Sequence, residues 1–213
     1  MKMDIANIRK DYTLKSLTLA EVADSPLDQF MLWFEEAIAA EVNEPNAMNL
    51  ATTNSLNRPS SRIVLLKGVD HGLIFYTNYD SKKGKELQER PFAAANFFWP
   101  ELERQIRIEG EVEKVSEAES DKYFYSRPID SQIGAWASPQ SQTIPNRSFL
   151  EQRENEMRSK FEKETLQRPT HWGGFRLIPY YFEFWQGRAS RLHDRIAFEK
   201  AANAHWVKKM LAP

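Results

Sequence analysis

Apolar positions along this chain follow two different periods. From SPLDQF onward, Leu27, Phe30, Met31, Phe34, Ile38 and Val42 recur at helical spacing. Ser25 is placed to cap that helix, Pro26 fits its first position, and Asp28 completes a capping box. Pro45 ends it. Strand patterns follow: AMNLATT, then SRIVLLKG, a VDHG turn and LIFYTN as a hairpin, then FAAANFFW. ERQIRIEGEVEKV alternates, with Ile106, Ile108 and Val112 set against Arg107, Glu109, Glu111 and Glu113. That predicts a strand with one wet face, and Gly110 marks a bulge or a close approach. SEAESDKYFYSRP predicts a second helix, capped by Ser116 with Glu119 and stopped before Pro128. IDSQIGAWASPQSQTIPN is polar and broken by Gly and Pro, so it reads as a long irregular loop. Ser148 with Glu151 starts a third helix, with Leu150, Met157 and Phe161 on its buried side. THWGGF breaks the chain, and YYFEFWQG, RIAFEK and HWVKKML close it as strands. Five to seven hairpin-linked strands with peripheral helices predict a mainly β chain built as a barrel. Residues 1–24 have weak periodicity and read as an arm, with one domain over 25–213. No Gly-rich fingerprint follows a first strand, which argues against a doubly wound fold.

Composition narrows the choice of partner. The formal net charge is -1, so nothing global favours nucleic acid, and any anion must be recognised locally. There is no cysteine, which excludes disulfides and thiolate chemistry. No stretch has signal-peptide or bilayer-spanning character, so a soluble cytoplasmic protein is expected. His71, His171, His193 and His205 are scattered without metal-binding spacing. Six Trp, seven Tyr and thirteen Phe suit either core packing or a flat ligand.

Cationic side chains gather at four places. Arg62 and Lys67 bracket Ile63, Val64, Leu65 and Leu66, and their odd separation puts them on opposite faces of an ideal strand. Either they are strand-end charges reaching water, or one of them meets an anion. After Tyr76, Thr77 and Asn78, Ser81 can cap a short helix whose first turn holds Lys82 and Lys83. Cations there oppose the helix dipole, so the segment reads as a phosphate cradle, with a solvated lysine pair as the plain alternative. Tyr123 and Arg127 share a helix face, with Ser131 just beyond. They suit a second phosphate, or Arg127 simply caps the helix. In WQGRASRLHDRIAF, Arg191, His193 and Arg195 alternate onto one strand face beside Trp185, which favours a ligand with negative charge or a π-face. No serine elbow and no glycosidase carboxylate pair is present.

The motifs RIVLLK, FYTN, ERQ, YFYSRP, DSQIGAW, QS, FWQG and RLHDR, in this order, resemble the pyridoxine/pyridoxamine 5'-phosphate oxidase family, from about Arg9 to Pro213. The resemblance implies an FMN-binding split β-barrel, a homodimer with flavin at the subunit interface. It also implies oxidation of pyridoxine or pyridoxamine phosphate to pyridoxal phosphate, with oxygen becoming hydrogen peroxide and the amine releasing ammonia. The FMN set it implies is Arg62, Ile63, Val64, Leu65, Leu66, Lys67, Tyr76, Thr77, Lys82, Lys83, Gln105, Gln140, Ser141, Trp185 and Arg195. Of these, Gln140, Ser141, Trp185 and Arg195 would reach the flavin held by the other subunit. The substrate set is Lys67, Tyr123, Arg127, Ser131, Arg191 and His193, with Arg9 and Tyr12 on an arm that closes over the site. Arg191 would cover the substrate ring, and His193 would orient its oxygen or amine and assist proton loss. Lys82 stands where Arg is usual and Ile129 replaces a common Arg. YTLKSL lacks the glycines expected after Tyr12–Thr13, and Arg188 belongs to a variable, solvent-facing turn. The competing readings are a flavin reductase on the same barrel and a nonenzymatic FMN or pyridoxal-phosphate carrier.

Overall fold

The computed structural model describes residues 11–202 and 204–213. It is mainly β, with five α-helices and nine strands among those residues. The strands are β1 Ala47–Thr53, β2 Pro59–Leu65, β3 Gly68–Val69, β4 Leu73–Asn78, β5 Phe92–Trp99, β6 Arg104–Lys114, β7 Trp172–Gln186, β8 Asp194–Lys200 and β9 Trp206–Leu211. They form one sheet in the order β2-β1-β5-β6-β7-β4-β3, and β8 pairs with β7 and with β9. The expected VDHG hairpin is present, with Gly68 opposite Ile74 and Val69 opposite Leu73. No helix among the described residues is long and apolar enough to cross a membrane.

Local capping chemistry sets most helix starts. α1 Pro26–Ala39 begins at Ser25, whose side chain accepts from the Asp28 N–H. α2 Lys82–Glu89 begins at Ser81, whose hydroxyl accepts from Gly84. α3 Glu117–Ser126 carries the full Ser116–Glu119 capping box. Two expectations fail nearby. The stretch expected to be irregular contains α4 Ile129–Ala137, which starts at Pro128 without a side-chain cap. α5 Arg147–Phe161 starts at Asn146, not at Ser148, because the Asn146 side chain accepts from the Phe149 N–H. Glu151 pairs with Arg147 at 3.5 Å instead of closing a box, and no residue of α5 is fully buried.

The chain packs as two compact units, each assembled from separated segments. The first comprises the chain up to Asn49, Ala94–Glu109 and Pro179–Pro213. Its core is aromatic, with Phe30 against Phe97 at 5.2 Å, Trp33 against Phe184 at 5.2 Å and Phe184 against Phe198 at 5.6 Å. The buried face of α1 is Phe30, Trp33 and Ala37, while Met31 and Ile38 are exposed. The apolar stripe is therefore rotated from the one the spacing suggests, because the large Trp33 ring takes the core side.

The second unit comprises Leu50–Ala93 and Gly110–Ile178. Phe75 and Phe175 meet at 5.8 Å in its core. Gly110 is a close approach, since a Cβ there would stand 2.3 Å from the Ile178 carbonyl oxygen. Gly173 and Gly174 do not break the chain; β7 runs straight through them. A Cβ on Gly173 would meet the Tyr79 hydroxyl at 2.1 Å, and one on Gly174 would meet the Tyr76 ring at 2.8 Å. The glycine pair makes room for two rings, an outcome of tertiary packing that the local breaker signal hides.

Candidate active site

In the second unit a cavity of about 300 Å³ is lined by Ile63, Val64, Leu65, Lys67, Tyr76, Thr77, Lys83, Tyr123, Arg127, Gln140 and Trp172. Three of these are cationic and none is a carboxylate. β2 ends and β4 runs along it, α2 presents Lys83, and the end of α3 presents Tyr123 and Arg127.

Lys83 is only 8% exposed. Its Nζ donates to Thr77 Oγ1 at 2.8 Å and to Gln140 Oε1 at 3.0 Å, and lies 3.4 Å from Ser81 Oγ. No carboxylate stands within ion-pair distance of it among the described residues. Burial, with added repulsion from Arg62, pulls the ammonium down to about 8. The turn that presents it is tight. A Cβ on Gly84 would stand 2.2 Å from the Tyr79 carbonyl oxygen. Lys82, by contrast, is mostly in solvent, 4.0 Å from Glu86.

Arg62 lies behind this site. Its guanidinium donates to the Leu50 carbonyl, Thr52 Oγ1, Ser60 Oγ and Glu86 Oε2. Burial opposes ionisation of Glu86, but its bonds to Thr52, Ser60 and Arg62 outweigh this and hold its carboxyl below the ordinary range. The structure thus resolves the question of strand-end charges. Arg62 has an internal carboxylate, and Lys67 faces the cavity.

One wall of the cavity is a set of nearly parallel rings. Tyr76 stacks on Tyr123 at 3.9 Å, and Trp172 lies 5.6 Å from Tyr76 at an interplanar angle of 13°. The Arg127 guanidinium covers Trp172 at 4.6 Å. Arg127 Nη2 donates to the Ser131 carbonyl at 2.8 Å, while Nη1 is buried without a hydrogen-bond partner. Burial lowers the guanidinium from its usual range. Ser131 sits in the first turn of α4 and not in a loop. Gln140 binds Thr77 at 3.0 Å as well as Lys83, all within one chain. Ser141 lies in the exposed turn that follows, at φ 70.

The remaining candidates lie in the first unit. Trp185 and His193 meet at 4.6 Å, and Tyr12 packs edge-on against Trp185 at 5.6 Å and beside His193 at 5.8 Å. Arg191, His193 and Arg195 do not alternate on one strand, contrary to expectation. Arg191 ends a 3-10 turn, Ala189–Arg191, with φ 61, and β8 starts only at Asp194. His193 Nδ1 accepts the Arg188 backbone N–H at 3.1 Å. That bond leaves the proton of a neutral imidazole on Nε2. Burial, then Arg191, lowers its pKa. Arg195 forks onto Glu183 at 2.9 and 3.0 Å. Glu183 also accepts from Arg107 and from the Tyr181 hydroxyl. Burial resists its ionisation, and the guanidinium of Arg195 overcomes that with help from Arg107. Gln105 is half-buried on β6. Arg9 lies outside the described residues.

Two residues packed into these clusters were not singled out from the sequence. Trp172 stood inside the apparent THWGGF break, and Glu183 looked like an ordinary strand residue. Its signal was a single carboxylate among the aromatic residues of YYFEFW.

The chain resembles known proteins over nearly its whole length. Residues 34–161 match the family described as pyridoxamine 5'-phosphate oxidase, and residues 172–213 match the pyridoxine 5'-phosphate oxidase C-terminal dimerisation region. A pyridoxine/pyridoxamine 5'-phosphate oxidase of Trichormus variabilis is 54% identical over 100% of both chains. One of Cupriavidus necator is 55% identical over 98% of this chain and 99% of its own. The crystal structure of PhzG from Burkholderia lata, in complex with tetrahydrophenazine-1-carboxylic acid, is similar with a TM-score of 0.87 at 32% identity. It covers 94% of this chain and 99% of that one. A pyridoxamine 5'-phosphate oxidase-related, FMN-binding protein from Nostoc punctiforme shares the fold, with a TM-score of 0.71 at 15% identity over 90% and 100% of the two chains. The fold is the split β-barrel, and the chain is an oxidoreductase that belongs to the pyridoxine/pyridoxamine 5'-phosphate oxidase family.

Proposed function

We propose that the chain uses FMN to oxidise pyridoxine 5'-phosphate or pyridoxamine 5'-phosphate to pyridoxal 5'-phosphate. Oxygen is the final acceptor and leaves as hydrogen peroxide; the amine substrate also takes up one water, which supplies the aldehyde oxygen, and releases ammonia. The observation that carries this reading is the cavity with three cations, no carboxylate and a wall of parallel rings. A desolvated Lys83 and an unpartnered Arg127 Nη1 are costly unless an anion arrives. Two phosphorylated flat rings supply that charge and a matching shape.

FMN, when bound, supplies the two-electron acceptor. Lys83, Thr77 and Gln140 would hold it, with Lys82 adding charge at the mouth. Lys67, Tyr123, Arg127 and Ser131 would hold the substrate phosphate, so that remote binding fixes the alignment of the reacting carbon. Arg191 would cover the substrate ring. His193, with its proton on Nε2, would donate to the substrate oxygen or amine; this favours orientation over proton removal. Trp185 and Arg195 would act on the site of the partner in a homodimer.

Anaerobic addition of pyridoxine 5'-phosphate to the FMN-loaded protein is the test. Bleaching of the flavin's visible absorbance is the expected result. Tight binding without bleaching would make the protein a carrier, and bleaching only by a nicotinamide nucleotide would make it a reductase.

A further inference from the structure

The segment just after the arm's Tyr12 is held by carboxylates where a strand would use carbonyls. Thr13 and Leu14 both donate their backbone N–H to Oε2 of Glu103, at 2.8 and 3.1 Å. Leu17 donates its N–H to Oδ2 of Asp194 at 3.0 Å, and its side chain is buried. Arg188 Nη1 reaches the Lys15 carbonyl at 3.4 Å. Glu103 is 3% exposed and has no cation within ion-pair distance among the described residues. A buried carboxylate needs donors, and here the arm's backbone supplies two of them.

The same region is shaped around the Tyr12 ring. A Cβ on Gly187 would stand 2.7 Å from Tyr12 Cγ and 2.8 Å from its Cβ. Gly187 has no positive φ, so space and not backbone conformation calls for glycine here. Its N–H donates to the Glu103 carbonyl at 2.8 Å, which ties the glycine to the residue that grips the arm.

We propose that Glu103 and Asp194 are positioning residues that latch the backbone of residues 13–17 and so seat Tyr12, in the space left by Gly187, against Trp185 and His193. This rests on the reading of His193 as a substrate-facing group. Glu103 touches no reacting atom; it acts through Tyr12, which fixes the ring surface that the substrate meets.

A double-mutant cycle on the full-length, FMN-loaded protein tests the latch, with pyridoxine 5'-phosphate as substrate. Tyr12→Ala and Glu103→Ala should each lower kcat/KM about tenfold, mainly through KM, and the double variant should fall no further than either. Glu103→Gln keeps a carbonyl acceptor for both N–H groups and should recover to within about threefold of the parent. Trypsin cleavage after Lys15, read without substrate, should accelerate in Glu103→Ala and in Gly187→Ala. Additive losses, no rescue by Gln, or unchanged cleavage would overturn the latch. Should Glu103→Ala fail to retain flavin, Asp194→Ala takes its place in the cycle. If the parent itself does not turn over the substrate, the functional reading falls, while the cleavage rates still decide whether the carboxylates hold the arm.

Discussion

Lys83 keeps its ammonium among hydroxyl and amide oxygens, without a carboxylate, and that placement has a measurable consequence. A fall from 10.5 to about 8 corresponds to about 3 kcal/mol against the charged form. The folded pKa lies below the unfolded one, so the cost is fully present below about pH 8. It is relieved as pH rises from about 8 toward 10.5, where the unfolded state still binds the proton. An anion reverses the balance by favouring the charged form. Lys83→Met should therefore leave the FMN-free protein as stable as the parent, or up to about 2 kcal/mol more stable, by denaturant melts at pH 7. It should weaken FMN binding at least about tenfold by fluorescence titration, and parental FMN affinity should decline above about pH 8. Lower stability together with unchanged FMN affinity would show that Lys83 is a structural group. Lys83 was legible because its hydroxyl partners and its turn lie in one short motif, YTNYDSKKGKEL. Arg62 was not, because Glu86, 24 residues away, claims its guanidinium, and no local pattern reports a partner at that distance.

The same contrast holds for whole elements. Helices that start on a side-chain cap were readable at Ser25, Ser81 and Ser116, since the cap and the N–H it satisfies lie within one turn. α4 has no such cap and contains Gly134; it packs against α5, and tertiary contact overrides its weak local signal. At the start of α5 the sequence pointed to Ser148 with Glu151, and Asn146 holds the role because its side chain accepts from the Phe149 N–H at 3.0 Å. Asn146→Ala should destabilise the protein by about 1 kcal/mol, and Ser148→Ala by only a few tenths, in paired urea melts. The opposite order would restore the Ser148–Glu151 box. The β7 strand teaches the converse lesson. Gly173 and Gly174 read as a break, yet the rings of Tyr76 and Tyr79 need the space, so the strand carries Trp172 unbroken to the cavity wall.

At the scale of the molecule, the candidate chemistry is divided between two compact units. Lys83, Tyr123 and Arg127 lie in one; Arg191, His193 and Arg195 lie in the other. The proposed dimer makes a specific statement about which protomer serves which flavin, and subunit mixing can read it. Lys83→Met impairs the cation-lined cavity and leaves Arg191 intact; Arg191→Ala does the reverse. If each flavin takes its cavity from one protomer and its Arg191 cluster from the partner, a mixed dimer contains one wholly intact site and one doubly impaired site. If each protomer serves itself, the mixed dimer contains two singly impaired sites and regains nothing. Co-expression, or unfolding and refolding of an equal mixture, should thus restore about a quarter of parental turnover, because about half of the dimers are mixed and half of their sites are whole. Turnover no higher than the average of the two variants alone would place both groups on the same flavin within one protomer. Arg191→Ala must retain bound FMN for the comparison to hold, which its absorbance spectrum reports directly.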